Sequence, residues 1–252
     1  MAVNAGITRE GSSTTGSDFA SGDKILITNV TRKDAGLICN SAVFTCNGSS
    51  WTMSEGTLLW SAGEENTFQA VYPSTASYSS FTVPSDQSDA DKLKSADWMT
   101  CEKTVTLNNL TAASSLNLEF KRKMAMVVVE ITGADVSTLN SLTVESPSPD
   151  NDNITFETSG NRIKAYRAST TDNKFSAIIP PGSKGEDTIL CYLKLSDSSE
   201  KNLKLSSDIE FSAGKKYTFS YIIDSSASSD SDSAPTRSAT PDNLTLVSVE
   251  PM

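Results

Sequence analysis

The chain has 252 residues, a formal net charge of -10 and a sequence pI of about 4.6. A surplus of acidic groups repels phosphate backbones and anionic lipid surfaces, so nucleic acid is excluded as an expected partner. The chain contains no histidine, which excludes Ser-His-Asp and Cys-His catalytic pairs and every zinc site that needs imidazole.

The first segment, residues 1–22, is predicted to be flexible, because residues 10–22 are rich in Gly, Ser and Thr. Its first residues, MAVNAG, lack the charged and apolar regions of a signal peptide. Either the protein is cytoplasmic or its export signal has been removed, and the abundance of Ser, Thr, Asn and Asp favours the second alternative. No apolar run approaches the roughly 20 residues that span a bilayer, so no transmembrane helix is predicted.

Alternating apolar residues predict the strands of a first domain, residues 23–120, with one face in the core. The alternating positions are Ile25 and Ile27; Phe68, Ala70 and Tyr72; Phe81 and Val83; Val105 and Leu107; and Leu116, Leu118 and Phe120. Turns between these runs are rich in Gly, Asn, Ser and Pro, as at Asn47-Gly48.

A second domain is predicted over residues 121–224. Met124–Ile131 has apolar residues at both odd and even positions, which predicts a central strand covered on both faces. The alternation then returns at Leu142 and Val144; Phe175, Ala177 and Ile179; Ile189 to Leu195; Leu203 and Leu205; Ile209 and Phe211; and Tyr217, Phe219, Tyr221 and Ile223. The pattern predicts an all-β chain of two sandwiches joined near residues 120–124.

Two stretches depart from the strand pattern. Asp89–Trp98 and Asp135–Leu142 each carry apolar residues three apart behind an Asp that caps a helix start. We expect one or two helical turns in each.

The C-terminal segment is unusual because it becomes apolar again after a polar linker. Residues 225–242 have almost nothing to bury and are predicted to be a flexible linker. Residues 243–252 follow as a strand-like segment with Leu244, Leu246, Val247 and Val249 on both parities. Because such a segment costs free energy in water, it is expected to pair with another strand.

The four cysteines are Cys39, Cys46, Cys101 and Cys191, and no two form a C-x-x-C motif. A redox motif or zinc ribbon is therefore not expected. Cys39 and Cys46 are close enough in sequence to close a small loop, but four cysteines allow three connectivities. Cys191 alternates with apolar neighbours and is expected to be buried as a free thiol.

An ordered set of short motifs runs through the chain. In order they are Trp60, TFQAVYP at 67–73, FTVP with DQ at 81–87, DWM at 97–99, LEFKRKMA at 118–125, AGKKYTF at 213–219 and VEP at 249–251. Together they resemble the fimbrillins of Bacteroidetes over nearly the whole chain. Family members often carry a histidine before the Met of the interdomain strand and a Trp after the final Pro, where this chain has Lys121–Lys123 and Met252.

This resemblance implies two transthyretin-like β-sandwich domains and export as a lipoprotein to the outer membrane and cell surface. It also implies polymerisation into pili with other fimbrial subunits by strand exchange, after a protease removes an N-terminal segment. Arg9, within Ile-Thr-Arg-Glu, resembles the family's cleavage site; the alternative is an incidental surface arginine. Residues 243–252 are the candidate donor strand for β-augmentation, and the alternative is that they fold back into their own second domain.

A tip adhesin or carbohydrate-binding surface lipoprotein is the alternative function. Trp51, just after Asn47-Gly48, is the candidate for an exposed platform that stacks on sugar rings, whereas Trp60 and Trp98 are expected in the core. Catalysis would need a carboxylate pair, and no spacing singles one out among 31 acidic residues. We therefore expect no enzyme, cofactor or metal site. The position in the fibre (shaft, tip or anchor) and any target, whether a host or bacterial surface protein or a glycan, stay open.

Overall fold

The computed structural model describes residues 2–7, 19–31, 40–48, 50–59, 64–106, 115–133, 135–223 and 242–252. The chain divides into two compact units, of which the first is Met1–Thr82 with Asp97–Lys123 and the second is Val83–Ala96 with Met124–Met252. The change of unit after Lys123 lies beside the predicted junction at residues 120–124. Val83–Ala96 lies in the second unit, although the sequence assigns this segment to the first domain.

The prediction of an all-β chain with a few short helical turns is confirmed. Helix α1 covers Ala90–Ser95, and the Asp89 side chain accepts a hydrogen bond from the Lys92 backbone N–H. A 3₁₀ helix covers Val136–Thr138, and the Asp135 side chain accepts from the Ser137 backbone N–H. Each capping aspartate satisfies a donor that a helix start leaves without an intrahelical partner.

Seven strands of the first unit form one closed sheet. They are β1 (Ala2–Ile7), β2 (Lys24–Asn29), β3 (Ser41–Cys46), β4 (Trp51–Gly56), β5 (Glu65–Tyr72), β7 (Met99–Thr106) and β8 (Ser115–Arg122), while β6 (Phe81–Val83) spans the change of unit. The order around the sheet is β1-β4-β3-β2-β5-β7-β8. The first predicted sandwich thus takes the form of a barrel that β1 completes.

Period-2 alternation sends one face of each strand into the core of this barrel. Phe68, Ala70 and Tyr72 are all buried, as the sequence predicts. Phe19 makes edge-to-face ring contacts with Trp51, Tyr72 and Phe120, with centroid distances of 5.1, 5.4 and 5.5 Å. The aromatic cluster joins strands that are distant in the chain, and aromatic pairs in this geometry add to the free energy of apolar burial.

The second unit contains an eight-stranded sheet and the two-stranded sheet of β14 and β17, and its strand β11 pairs with β6. Its strands are β9 (Ala125–Thr132), β10 (Leu139–Glu145), β11 (Ile154–Phe156), β12 (Arg162–Lys164), β13 (Lys174–Ile179), β14 (Gly182–Lys184), β15 (Ile189–Leu195), β16 (Glu200–Leu205), β17 (Ile209–Phe211), β18 (Lys215–Ile222) and β19 (Asn243–Pro251). The large sheet has the order β12-β10-β15-β16-β19-β18-β9-β13, and β14 pairs with β17.

Strand β9 occupies the interior position that its apolar sequence predicts. It pairs antiparallel with β13 on one side and parallel with β18 on the other. Its alternate residues Ala125, Val127, Val129 and Ile131 are buried, and the residues between them on the opposite face are partly buried. Both faces of the strand are thus at least partly covered.

Gln87 explains why the segment Val83–Ala96 belongs to the second unit. Its side chain is fully buried and makes two hydrogen bonds to one residue of β13. The Gln87 Nε2 donates to the Ile178 carbonyl at 2.9 Å, and the Ile178 N–H donates to Gln87 Oε1 at 2.8 Å. The Gln87 amide thus bonds the Ile178 backbone as a neighbouring strand would. The pattern of apolar residues in the sequence does not predict this contact.

Three cysteines, Cys46, Cys101 and Cys191, are buried free thiols, while Cys39 lies outside the described residues. Burial raises the pKa of the Cys101 and Cys191 thiols, which lowers their reactivity as nucleophiles. In the part of the chain that the structure describes, no helix is long and apolar enough to cross a membrane.

Candidate functional site

The N-terminal strand β1 lies between β8 and β4 in the sheet of the first unit. It runs parallel to β8 over six positions, from Ala2 opposite Ser115 to Ile7 opposite Phe120. Among the described residues, it pairs antiparallel with β4 at a single position, Val3 opposite Trp51. The strand is therefore held mainly along one edge.

The inward face of β8, the strand that pairs with β1, carries a row of apolar side chains. Leu116, Leu118 and Phe120 are buried, and Val3 of β1, opposite Leu116, is 2% exposed in the same core cluster. If β1 left the sheet, this row and the backbone groups of β8 that bond β1 would meet water, which is unfavourable for both. Pairing with β1 therefore satisfies this edge of β8 and helps to cover the row.

The C-terminal strand β19 is inserted inside the sheet of the second unit. It pairs antiparallel with β18, from Lys215 opposite Pro251 to Ser220 opposite Thr245. On its other side it pairs parallel with β16 at two positions, Lys204 opposite Asn243 and Leu205 opposite Leu244. In the isolated chain the segment therefore packs in its own unit, the alternative that the sequence leaves open.

The four apolar residues of the candidate donor strand differ in burial. Leu244 is fully buried and Leu246 is half-buried, whereas Val247 is 63% and Val249 is 48% exposed. The register shifts between Thr218 and Phe219, so that Val247 is the extra residue of a β-bulge. The two valines, unlike Leu244, thus gain little from packing in their own unit.

Polar contacts anchor both ends of β19. At its start, the Asp242 carboxylate accepts a hydrogen bond from the Tyr221 hydroxyl and faces the Lys201 Nζ at 3.4 Å. At its end, the Lys216 Nζ lies 2.9 Å from Glu250 and lowers the pKa of that carboxyl by a hydrogen bond and by its charge. The pair at the end is exposed to solvent and contributes little to stability.

Each unit also contains a carboxylate whose surroundings shift its pKa, and the shifts are opposite. In the first unit, burial raises the pKa of Asp97, although the Arg122 Nε donates to its Oδ2 at 2.9 Å. In the second unit, burial opposes ionisation of Glu145, but a hydrogen bond from the Tyr192 hydroxyl and the nearby Lys184 ammonium outweigh it, so that its pKa is lowered.

The structure corrects two predictions made from sequence. Residues 2–7 form the paired strand β1, so the N-terminal segment is not uniformly flexible; the weak alternation of Val3, Ala5 and Ile7 was the available signal. Trp51 is 8% exposed and contacts Phe19, so it does not form an exposed platform for sugar rings. Its position as the first residue of β4, facing the barrel core, is the physical reason.

The other predicted sites divide between described and undescribed residues. Arg9, Trp60 and residues 225–241 of the linker lie outside the described residues. Trp98 is buried, as expected, and stacks on Phe81 with a centroid distance of 5.6 Å. Within the described ranges, no group of three or more His, Cys, Asp or Glu side chains is arranged to hold a metal ion.

Two solved structures share this fold over almost the entire chain. One is a candidate cell adhesion protein from Bacteroides ovatus, with 13% identity, a TM-score of 0.65 and coverage of 99% of this chain and 96% of the other. The second is a candidate cell adhesion protein from Bacteroides uniformis, with 15% identity, a TM-score of 0.62 and coverage of 99% and 98%. At this level of identity the likeness concerns the fold alone.

A third structure matches only part of a longer chain. It is a fimbrial protein from Bacteroides ovatus, with 17% identity, a TM-score of 0.50 and coverage of 88% of this chain and 47% of the other. None of the curated protein sequences is significantly similar to this chain.

The family comparison covers most of the sequence. Residues 12–240 match the sequence model of the family described as fimbrillin-like. This agrees with the resemblance carried by the short motifs, and it confirms the prediction of a fimbrial protein of the cell surface. The chain therefore belongs to the fimbrillin-like family.

Proposed function

We propose that this chain is a structural subunit of a cell-surface fimbria and joins other subunits by strand exchange rather than performing catalysis. The observation that carries the proposal is the position of β1. The strand completes a closed sheet, pairs at length with β8 alone, and ends at Ile7, two positions before Arg9. Cleavage after Arg9 would detach the whole strand, because no part of it lies beyond the cut.

The strand that enters the position left by β1, which we call the groove, is, in this proposal, β19 of another subunit. An incoming strand replaces the lost backbone hydrogen bonds of β8 and covers its apolar row. The hydrogen bonds that β19 gives up in its own unit are of the same kind, so their loss and gain nearly cancel. Burial of Val247 and Val249, which are exposed in the isolated chain, would add a favourable apolar contribution.

The finer part of the proposal concerns attachment. Membership of the fimbrillin-like family supports a location in cell-surface fimbriae, and we extend this to an exported lipoprotein anchored in the outer membrane. Metabolic labelling with a radioactive fatty acid, followed by isolation of the protein from outer-membrane fractions, tests this extension. Absence of label from protein that still reaches the surface would contradict it.

The experiment for strand exchange uses two variants, one that can only accept a strand and one that can only donate a strand. A chain that lacks residues 243–252 keeps the groove but has no donor strand, and an Arg9→Gln chain keeps the donor strand but resists the arginine-specific cleavage. After treatment with such a protease, each variant alone is expected to stay unpolymerised, whereas the mixture forms heterodimers. Size-exclusion chromatography with light scattering measures the products.

Controls separate a folding defect from an assembly defect. Because β19 contributes Leu244 to the core of the second unit, the truncated chain is checked by circular dichroism before mixing. If the truncation unfolds the second unit, a chain with Val247→Asp and Val249→Asp, which keeps Leu244, takes its place. Unimpaired polymerisation of the truncated chain alone would refute the donor strand. If N-terminal sequencing of assembled wild-type protein began before residue 10, Arg9 would not be the cleavage site.

A further inference from the structure

Phe19 lies in the core of the first unit and contacts both of the strands that flank β1. It is 5% exposed, and its ring makes edge-to-face contacts with Trp51 of β4 at 5.1 Å and with Phe120 of β8 at 5.5 Å. Trp51 is the residue of β4 that pairs with β1, and Phe120 lies opposite the last residue of β1. The ring thus links β4 to β8 by contacts that do not pass through β1.

The same ring also contacts a third strand. Its centroid lies 5.4 Å from that of Tyr72 on β5, again in an edge-to-face arrangement. The sequence of β1 is AVNAGI and contains no aromatic residue, so all three ring contacts are made to strands other than β1. Aromatic pairs in this geometry stabilise a core beyond the burial of apolar area. The three contacts would therefore remain in place when β1 leaves the sheet.

The backbone that carries this ring is fixed to the barrel by hydrogen bonds. In residues 19–23, which we call the anchored segment, the Gly22 N–H donates to the Cys46 carbonyl at 2.8 Å. The Cys46 N–H in turn donates to the Asp23 carbonyl at 2.8 Å. The buried Asp23 carboxylate also accepts a hydrogen bond from the Tyr72 hydroxyl at 3.3 Å. The anchored segment is therefore held by β3 and β5, which are not the neighbours of β1 in the strand order.

The anchored segment lies on the retained side of the cut that strand exchange requires. Arg9 precedes residues 19–23 in the sequence, so cleavage after Arg9 releases β1 and leaves the anchored segment in the chain. In the order β1-β4-β3-β2-β5-β7-β8, β1 is the strand that joins β4 to β8 and closes the sheet. If these two strands moved apart after its release, an incoming strand would have to order them again, which weakens binding.

We propose that Phe19 holds β4 and β8 at the spacing that accepts a strand after β1 has been removed, and so preserves the groove for the strand of another subunit. This inference rests on the proposed function and assigns one residue of this chain a part in it. Phe19 is a positioning residue, because it acts through the side chains of Trp51 and Phe120 and not through the backbone groups with which an incoming strand pairs.

The test compares amide exchange of β4 in the full chain before and after cleavage by an arginine-specific protease. Mass spectrometry confirms the cut after Arg9, and gel filtration removes the released peptide. Phe19→Ala should speed exchange of β4 about tenfold or more beyond its effect before cleavage, because three ring contacts are lost when β1 no longer supports β4.

Phe44→Ala is the matched control. Phe44 is 6% exposed in the same core cluster and lies on β3, whose neighbours in the sheet are β4 and β2. Its effect on β4 exchange should be the same before and after cleavage to within about twofold, because contributions that are not coupled to β1 add independently.

A second measurement is the affinity of the cleaved chains for a fluorescent peptide of residues 243–252, determined by anisotropy. Cleaved Phe19→Ala should bind this peptide about tenfold or more weakly than the cleaved wild type, because a groove formed for only a fraction of the time lowers the apparent affinity by that fraction. Phe19→Leu keeps much of the apolar volume and should show smaller effects of the same sign. It takes the place of Phe19→Ala in both measurements if the alanine variant does not fold before cleavage.

The outcomes distinguish this inference from the proposed function. An effect of Phe19→Ala on β4 exchange that is equal before and after cleavage, or a peptide affinity within about twofold of the wild type, would overturn the role of Phe19 and leave strand exchange intact. Unfolding of the first unit in the cleaved wild type would also overturn this role. Failure of the peptide to bind the folded, cleaved wild type would instead contradict the proposed function.

Discussion

The two terminal strands complete their units in different ways. β1 is parallel to β8 over six positions and meets β4 at one, whereas β19 runs antiparallel along β18 and touches β16 at two positions. Neither strand reaches its partners through a tight hairpin, because residues 8–18 follow β1 and residues 223–242 precede β19. A strand held by pairing and packing alone can be replaced by an equivalent strand from another chain, which a hairpin strand resists.

The difference between them lies in which side chains are buried. β19 has one fully buried anchor, Leu244, and two exposed valines, while β1 places Val3 in an aromatic-rich core. β19 therefore combines a firm attachment at its start with an apolar surface that its own unit leaves uncovered. This combination is what we expect of a strand that serves its own unit in the monomer and another unit in a polymer.

The largest expected effect is on assembly. The double variant Val247→Asp with Val249→Asp adds charges at positions that are exposed in the monomer, so the free energy of unfolding should change by about 0.5 kcal/mol or less for each. In a groove that buries these side chains, the same charges would prevent insertion. We expect polymerisation, measured by light scattering after protease treatment, to be lost while the thermal unfolding midpoint is nearly unchanged.

The control for this pair is Thr245→Asp with Glu250→Asp, which alters exposed positions of the same strand without removing an apolar side chain. Normal polymers from the valine variant would mean that the face of β19 carrying Val247 and Val249 stays exposed in the fibre.

The next effect compares the anchors of the two strands in the monomer. Leu244→Ala removes a fully buried side chain and should lower the free energy of unfolding of the second unit by about 2–5 kcal/mol. Val3→Ala removes fewer atoms from β1 and should cost the first unit about 1–2 kcal/mol. Urea unfolding, with amide exchange of β18 and β8 as local probes, separates the two units.

Val247→Ala, at a 63% exposed position, is the matched control for both truncations and should change stability little. If Val3→Ala lowered the free energy of unfolding as much as Leu244→Ala, β1 would be anchored as firmly as β19. This result would contradict the difference between the two strands.

The smallest effect is the pH dependence of the two units, which should differ in sign. The pKa of Asp97 is raised from its ordinary value of 3.8 by burial, so its contribution to stability is present below that value and is lost as pH rises through the folded-state pKa. Burial opposes ionisation of Glu145, but hydrogen bonds and the charges of Lys184 and Arg162 outweigh it and lower its pKa from 4.5. Its contribution to stability is therefore present above 4.5 and is lost as pH falls through the folded-state pKa.

Urea unfolding at a series of pH values checks this sign difference with the neutral variants Asp97→Asn and Glu145→Gln. On acidification, the wild-type first unit should gain free energy of unfolding from Asp97, and Asp97→Asn should abolish this gain. The wild-type second unit should lose free energy of unfolding through Glu145, and Glu145→Gln should abolish this loss. Slopes of the same sign for the two differences would contradict the assignment of opposite shifts.

The alternation of apolar residues was sufficient to predict most strands and their buried faces. Leu116, Leu118 and Phe120 are all buried, as are Tyr217, Phe219 and Tyr221, because period 2 is a property of a strand's own sequence. The two capping aspartates were predictable for the same reason, since a cap involves residues within one turn. The C-terminal strand β19 was also recognisable, because it is an apolar segment after a long polar one.

The partners of each strand were decided by the tertiary structure. Three contacts join residues that are far apart in the chain. They are the parallel pairing of β1 with β8, the insertion of β19 between β16 and β18, and the burial of Trp51 against Phe19. The energy of such pairing depends on which edges and apolar rows remain unfilled once the other strands have formed, and a local pattern carries no information on that. The sequence by itself thus determined most of the strands and their buried faces, because alternation is local, while the tertiary structure decided which strands pair and where the C-terminal strand lies.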